Sequence, residues 1–189
     1  MQWPYALVFW AVFLWTFLPE SLIIARQGER SITTQDAGSK LGIIVGQWIG
    51  MWVAFAAPFV WPSAALPFPI VCFWLGIAVL ISGSLLRRHC WRMLGKSFTG
   101  AVIVHADQII VERGAYRYIR HPSYSAGLLM FFGVGLSQGN GISIAAIVCA
   151  SAASYVYRVA VEERALLTTV GEPYAAYMRR TKRFIPGIF

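Results

Sequence analysis

The sequence FPIVCFWLGIAVLISGSLL, from Phe68 to Leu86, contains no charged residue. Two other segments have the same character, since Leu41 to Trp61 is uncharged and Tyr5 to Ile24 carries Glu20 as its single charge. Each is long enough to cross the hydrocarbon core of a bilayer, which takes about 20 largely apolar residues. Of all residues, 58% are hydrophobic and 13% are charged, whereas a soluble domain has about 25% charged residues. The sequence therefore predicts a polytopic α-helical membrane protein.

Two shorter uncharged segments follow in the C-terminal half, Ser123 to Ser137 and Ile142 to Tyr157. The polar, glycine-bearing sequence between them, with Asn140 near its centre, predicts a turn and hence a helical hairpin. Together with the first three segments, the hairpin predicts an all-α fold with about five transmembrane helices.

The basic residues indicate how these helices are oriented. All 16 of them fall in three connections on one side of the predicted bundle, which are Ala25 to Lys40, Arg87 to Pro122 and the tail from Arg158. The positive-inside rule makes this side cytoplasmic, with the N-terminus outside and the C-terminus inside. We expect one membrane domain over residues 1–189, in which 1–86 holds three spans and 87–189 holds the functional region.

Charge and cysteine content argue against two kinds of site. The net charge is +8, and the basic residues lie next to span ends without a nucleic-acid-binding motif. Membrane lipid headgroups rather than nucleic acid are therefore the expected partner. Cys72, Cys90 and Cys149 are scattered, and their spacing predicts neither a disulfide framework nor a metal site.

The connection that begins at Arg87 is too long and too polar to be explained by membrane insertion. Two β-like runs within it, Ala101 to Val104 and Ile109 to Val111, are predicted to pair as a small hairpin. The following sequence, from Glu112 to Tyr124, concentrates arginines, tyrosines and a histidine just before a span. Pro122 suits the first position of that helix, and a helix N-terminus flanked by Arg and His favours an anion. Interfacial anchoring by Tyr and Arg is the alternative explanation.

A second polar cluster lies at the inner end of the last span. Arg158 and Glu162 are four residues apart and share a helical face. Ionisable groups on such a helix normally turn toward protein or a cavity, although a solvated helix end with an ordinary ion pair would have the same sequence. Gly171 is predicted to end this helix, and the next one carries Tyr174 and Tyr177 one turn apart.

These motifs resemble those of a known family. Arg120-His121-Pro122-Ser123-Tyr124, a hydrophobic hairpin with an Asn at its tip, and Glu162-Glu163 are similar to the Arg-His-Pro-x-Tyr, hydrophobic, Glu-Glu signature of the isoprenylcysteine carboxyl methyltransferase family. The similarity covers about Trp91 to Phe189. Ala126-Gly127 departs from the Gly-aromatic pair that is frequent in eukaryotic members, which concerns the acceptor pocket.

The resemblance implies S-adenosyl-L-methionine as the methyl donor, bound in a cytosol-facing pocket formed by the C-terminal half. By position, the residues that would line or shape the donor site are Gly114, Tyr116, His121, Pro122, Tyr124, Glu162 and Glu163. The residues nearer the acceptor would be Arg120, Arg158 and Arg183.

The chemistry of methyl transfer is consistent with these residue types. A sulfonium donor with an amino-acid head calls for a carboxylate, aromatic or histidine contacts and a helix N-terminus, and the two clusters contain all three. A carboxylate acceptor is already ionised near neutral pH, so the enzyme has to supply alignment and exclusion of water rather than a general base. We therefore expect carboxyl O-methylation of a lipophilic or lipidated, isoprenylcysteine-like acceptor at the inner leaflet.

Three alternatives stay open at this point. A phospholipid amine or another small lipophilic amine or thiol could be the acceptor instead. A sterol-type membrane reductase has a similar C-terminal region but binds NADPH and usually has many more spans. The third alternative is a membrane scaffold without enzymatic activity. We expect the cytoplasmic membrane of a bacterium or archaeon, or an endomembrane, and the sequence does not indicate an oligomeric state.

Overall fold

Helices account for all regular secondary structure in the residues that the computed structural model describes, which are 4–28, 38–95, 98, 109–185 and 187. The α-helices are α1 (Tyr5–Gly28), α2 (Ser39–Val60), α3 (Pro69–Leu94), α4 (Pro122–Ser137), α5 (Gly141–Thr169) and α6 (Glu172–Arg180). Two short 3-10 turns cover Pro62–Ala64 and Gly114–Arg117. For the described residues, the all-α prediction is confirmed.

Four helices, α1, α2, α3 and α5, are long and apolar enough to cross a membrane. The remaining predicted span, α4, has 16 residues, which is shorter than a span normally needs. The number of spans and the orientation of the termini therefore stay predictions.

One predicted helix end was wrong, because the helix runs on into the polar sequence. α3 continues past Leu86 to Leu94, so that Arg87 and Arg88 are helical residues rather than the start of a connection. α5 also continues past its apolar run, to Thr169, and Gly171 follows its end as predicted. Charged residues keep good helix propensity, so a helix does not stop where its apolar run stops.

The predicted β-hairpin is not found where it can be checked. Ile109 to Val111 forms no regular secondary structure, and Ala101 to Val104 lies outside the described residues.

Glycines let the long helices approach each other closely. A Cβ on Gly133 of α4 would come within 2.6 Å of the Leu80 backbone nitrogen of α3. A Cβ on Gly50 of α2 would come within 2.8 Å of the Ala150 Cβ of α5. Gly42, Gly46 and Gly50 of α2 all face α5 within the chain, as small residues do between membrane helices.

The tip of the α4–α5 hairpin is built around Asn140, as the sequence indicated. Its Oδ1 accepts hydrogen bonds from the Ile142 and Ser143 amides at 2.9 and 3.3 Å, which caps α5. Its Nδ2 donates to the Trp61 carbonyl at 2.9 Å. The tip is thus attached to the turn between α2 and α3.

Candidate active site

The Arg-His-Pro segment leads directly into α4. Pro122 is the first residue of the helix, as predicted, and His121 occupies the capping position with φ −125°. Proline suits this place because its φ is already helical and its missing N–H would have no partner there. The amides of Tyr124 and Ser125 both donate to the His121 carbonyl, at 3.1 and 3.2 Å. The side chains of the motif are therefore held by the first turn of a buried helix.

The C-terminal segment pairs with this motif along the backbone. The Arg120 amide donates to the Lys182 carbonyl at 2.7 Å, and the His121 amide donates to the Arg183 carbonyl at 3.0 Å. The Ser125 hydroxyl donates to the Phe184 carbonyl at 2.7 Å. The segment from Lys182 to Phe184 is therefore part of the site.

Glu163 lies at the centre of the site and is almost completely buried, with 3% of its surface exposed. Arg120 Nε donates to its Oε1 at 2.8 Å, and His121 Nε2 lies 3.3 Å from the same oxygen. Arg183 Nε donates to Oε2 at 2.9 Å. Burying a carboxylate costs several kcal/mol unless charged partners compensate it, and here three basic side chains from two segments do so. Glu163 therefore holds the motif, α5 and the C-terminal segment together.

Glu162 belongs to a second, adjoining set of contacts. The Tyr124 hydroxyl donates to Glu162 Oε2 at 3.0 Å and accepts a hydrogen bond from Arg158 Nε at 3.3 Å. Arg158 is buried and also donates through Nη1 to the Ser39 hydroxyl at 2.8 Å. The side chain of Glu162 is only partly buried, which leaves this carboxylate more accessible than Glu163.

Two buried tyrosines next to these carboxylates have hydroxyl groups without a full complement of hydrogen bonds. The Tyr174 hydroxyl is buried and has no hydrogen-bond partner among the described residues. The Tyr116 hydroxyl is likewise buried without a hydrogen-bond partner in the described part of the chain. Burial raises the pKa of both phenols above their usual range, so both are neutral at physiological pH and able to donate. Buried polar atoms of this kind normally have a partner.

The structure brings most of the predicted site residues together. His121, Pro122, Tyr124, Glu162 and Glu163 meet where α4 begins and α5 ends, and Tyr116 accepts a hydrogen bond at its carbonyl from Tyr177 at 2.6 Å. The motif and the twin glutamates are in direct contact although about 42 residues separate them.

Gly114 is placed differently, next to a surface cavity of about 560 Å³. The cavity is lined by Glu112, Arg113, Gly114, Arg117, Arg180 and Thr181. Gly114 has φ +59°, which favours glycine at this turn. The predicted donor pocket between the His-Pro turn and the glutamates stays a prediction.

Arg120 and Arg183 were assigned to the acceptor from the resemblance, and in the structure both bind Glu163. Arg120 also donates to the carbonyls of Met178 and Thr181, so its contacts are those of a residue that organises the site. Contact of Arg120, Arg158 or Arg183 with an acceptor stays a prediction. Arg158 contacts the hydroxyl groups of Tyr124 and Ser39.

The sequence reasoning missed several residues of the site. Ser39, at the start of α2, gave no signal, because its contact with Arg158 spans 119 residues. Tyr155 lies three residues before Arg158, and that helical spacing could have placed it on the same face. Its ring centroid is 5.0 Å from that of Tyr124.

The residues present suit a ligand such as S-adenosylmethionine. Glu162 offers a partly accessible carboxylate for an ammonium group or ribose hydroxyls, and the Tyr174 hydroxyl has no partner within the described ranges. His121 and Tyr124 add ring surfaces, with centroids 5.8 Å apart.

Comparison with known proteins identifies related sequences. The model of the isoprenylcysteine carboxyl methyltransferase (ICMT) family matches residues 74–168. Protein-S-isoprenylcysteine O-methyltransferase of Tribolium castaneum is 30% identical over 116 residues, which are 60% of this chain and 41% of that protein. The protein of the same name from Dictyostelium discoideum is 30% identical over 118 residues, covering 61% of this chain and 50% of its own length.

A solved structure of the eukaryotic intramembrane Ras methyltransferase ICMT is also similar. It superimposes with a TM-score of 0.59 at 27% sequence identity and covers 77% of this chain and 51% of that chain. The chain thus spans about half the length of the relatives it matches. Its long apolar helices and this similarity make it an integral membrane protein.

Proposed function

Since the chain belongs to the isoprenylcysteine carboxyl methyltransferase (ICMT) family, we propose that it is a methyltransferase that uses S-adenosylmethionine to methylate the carboxylate of a lipophilic, isoprenylcysteine-like acceptor. Relatives from Tribolium castaneum and Dictyostelium discoideum are named protein-S-isoprenylcysteine O-methyltransferase. The resemblance noted in the sequence and the family match lead to the same activity.

The observation that carries the proposal is the direct contact of the His-Pro turn with the twin glutamates. Glu163 anchors Arg120, His121 and Arg183, and Glu162 is held one residue away by the Tyr124 hydroxyl. The charged and aromatic groups that a sulfonium nucleoside requires are therefore concentrated at one end of the helix bundle. This concentration needs a functional reason, because ionisable groups in membrane proteins are costly and mark functional sites.

The donor supplies, when bound, a methyl group on a positively charged sulfur. In our proposal Glu162 accepts hydrogen bonds from its ammonium group or ribose hydroxyls, and the Tyr174 hydroxyl provides a further polar contact. Glu163 keeps the His-Pro turn, α5 and the tail in a fixed arrangement. Preorganised groups of this kind contribute by alignment, which a displacement of about 1 Å already impairs.

On the acceptor side, Arg158 orients the anionic end, since its guanidinium is buried and fixed by Tyr124 and Ser39. The acceptor's apolar part enters sideways between helices from the inner leaflet, and the donor enters from the cytosol. No general base is required, because the acceptor carboxylate is ionised near neutral pH. Exclusion of water then becomes the main task of the helix bundle.

Two measurements test the proposal. Calorimetry of the detergent-purified protein with S-adenosylhomocysteine should give saturable binding, and methyl-labelled donor with farnesylcysteine analogues should give a base-labile product, as a methyl ester is. A protein that binds NADPH but neither adenosyl compound would contradict the proposal.

A matched pair of variants locates the donor site. Glu162→Gln should weaken binding of S-adenosylhomocysteine about tenfold or more, because a hydrogen bond to a charged group contributes about 1.5–3 kcal/mol. Glu172→Gln is the control, since Glu172 is an exposed carboxylate on α6 that pairs with Arg179. Equal affinities of both variants and the wild type would remove Glu162 from the donor site.

The second candidate is N-methylation of a lipophilic amine. The Tyr124 hydroxyl, held between Glu162 and Arg158, lies where a neutral amine could pass on its proton during transfer. A labelled product that survives mild base would support this function instead of ester formation.

A further inference from the structure

A second buried ion pair lies outside the site, between α1 and α3. Arg87 Nε is 3.1 Å from Glu20 Oε2, and the two side chains are 11% and 8% exposed. Glu20 Oε1 is buried without a hydrogen-bond partner among the described residues. An ion pair within apolar helices is expensive and points to a function. The roles proposed above for methyl transfer do not involve Glu20 or Arg87.

Arg87 extends from this pair to the site itself. Its Nη1 donates to the carbonyl of Ser123 at 3.0 Å and to the Tyr155 hydroxyl at 3.2 Å. Ser123 lies in the first turn of α4, next to Tyr124, and the Tyr155 ring packs against that of Tyr124. Arg87 therefore holds both neighbours of the tyrosine that binds Glu162 and Arg158.

Gly127 provides the space that this arrangement needs. A Cβ at Gly127 would come within 2.6 Å of the Tyr155 hydroxyl and closer still to Arg87 Nη1. The guanidinium thus passes through a gap in α4 that exists because residue 127 has no side chain. In the Gly-aromatic pair of eukaryotic members an aromatic residue would stand at position 127. In this chain position 127 is a glycine, and the side chain of Arg87 from α3 lies against it.

We propose that Glu20 is a positioning residue for methyl transfer. By fixing the Arg87 guanidinium, it keeps the first turn of α4 and Tyr155 in place, and through them the hydroxyl of Tyr124 between Glu162 and Arg158. The inference rests on the proposed function. It adds a residue of α1 to the machinery, although the family match begins at residue 74 and does not include α1.

Arg88 offers a matched control, because it attaches α1 to α3 at the same level. Its Nη2 donates to the Trp15 carbonyl at 2.6 Å, and its guanidinium lies 4.5 Å from the Trp15 ring centroid. The contacts described for Arg88 are all with α1. An Arg88→Gln variant therefore loosens α1 without touching α4 or α5.

The experiment compares wild type, Glu20→Gln, Glu20→Asp and Arg88→Gln in nanodiscs. For Glu20→Gln we expect kcat to fall about 10- to 100-fold, because small displacements of reacting groups are that costly, while the KM for the donor changes less than about threefold. Glu20→Asp should recover most of the loss, and Arg88→Gln should keep kcat near the wild-type value. Equal losses in Glu20→Gln and Arg88→Gln, or no loss in either, would overturn the inference.

Hydrogen exchange supplies a readout that does not depend on activity. In Glu20→Gln the amides of Tyr124 and Ser125, which bond to the His121 carbonyl, should exchange faster, and in Arg88→Gln they should not. If the wild type transfers no methyl group, the proposed function fails, and the exchange rates alone decide whether Glu20 holds this turn.

Gly127→Ala keeps the test valid should Glu20→Gln not fold. This variant displaces Arg87 and Tyr155 while leaving Glu20 in place, so it should lower kcat and speed up exchange in the same way. Wild-type values in Gly127→Ala would contradict the inference.

Discussion

Replacing Glu163 with glutamine separates organisation of the site from binding of the donor. The change keeps the size of the side chain but removes the charge that Arg120, His121 and Arg183 share. Removing one partner of a buried ion pair costs about 3–5 kcal/mol. Arg120 keeps the carbonyls of Met178 and Thr181, and Arg183, with 37% of its side chain exposed, regains water. We therefore expect the lower end, a loss of about 3 kcal/mol in unfolding free energy.

The assay is thermal unfolding in detergent followed by circular dichroism, with Glu162→Gln as the matched control. For a chain of this size about 3 kcal/mol corresponds to a midpoint lowered by about 6–12 °C. Glu162 is partly exposed and accepts a hydrogen bond from Tyr124, so its variant should lose about 1 kcal/mol or less but bind S-adenosylhomocysteine more weakly. If both variants unfold at the same temperature, Glu163 is not the central anchor and the reasoning is refuted.

Three further substitutions test other parts of the structure. Arg158→Ala should raise the KM for the acceptor about tenfold or more, because a charged hydrogen bond is lost, and leave donor affinity unchanged in calorimetry; full turnover would remove Arg158 from the acceptor site. Tyr174→Phe should not lower the unfolding temperature, since its hydroxyl has no described partner, yet should weaken binding of S-adenosylhomocysteine; unchanged binding would mean that this hydroxyl does not face the donor. Gly133→Ala should destabilise the protein by about 1–3 kcal/mol, because the added Cβ would meet the backbone of Leu80, and unfolding at the wild-type temperature would show that α3 and α4 can separate without cost.

The helices and their ends were largely predictable because they depend on neighbouring residues. Apolar runs predicted α1, α2 and α3, and local signals predicted the starts of α4 at Pro122 and of α5 after Asn140. Gly171, with φ +74°, separates α5 from α6 as expected. Helix formation is governed by interactions a few residues apart, so a single sequence carries this information.

The far end of α3 was misplaced for a related reason. Loss of apolar character marks where a helix leaves the hydrocarbon, but it does not mark where the helix stops. Arg87 and Arg88 appeared to begin a connection and are instead half-buried residues of the third helix that contact α1. The error concealed the ion pair with Glu20.

The candidate site, too, was only partly predictable from the sequence. Its residue types and their membership of one site followed from the motifs, and the contact between His121 and Glu163 agrees with that expectation. The sequence did not indicate that Glu163 would be enclosed by three basic groups, or that Arg120 and Arg183 would both bind it. Those pairings join positions about 20 and 43 residues apart.

The sequence by itself determined that this protein is helical and apolar, where most of its helices begin, and which two polar clusters form the candidate site. The tertiary structure alone decided which arginine contacts which carboxylate. Arg87, Arg120, Arg158 and Arg183 have the same side chain and differ only in the groups packed around them. The physical reason is that helix formation and membrane partition are local sums over a segment. The energy of a buried charge, by contrast, depends on every group that packing brings within a few ångströms of it.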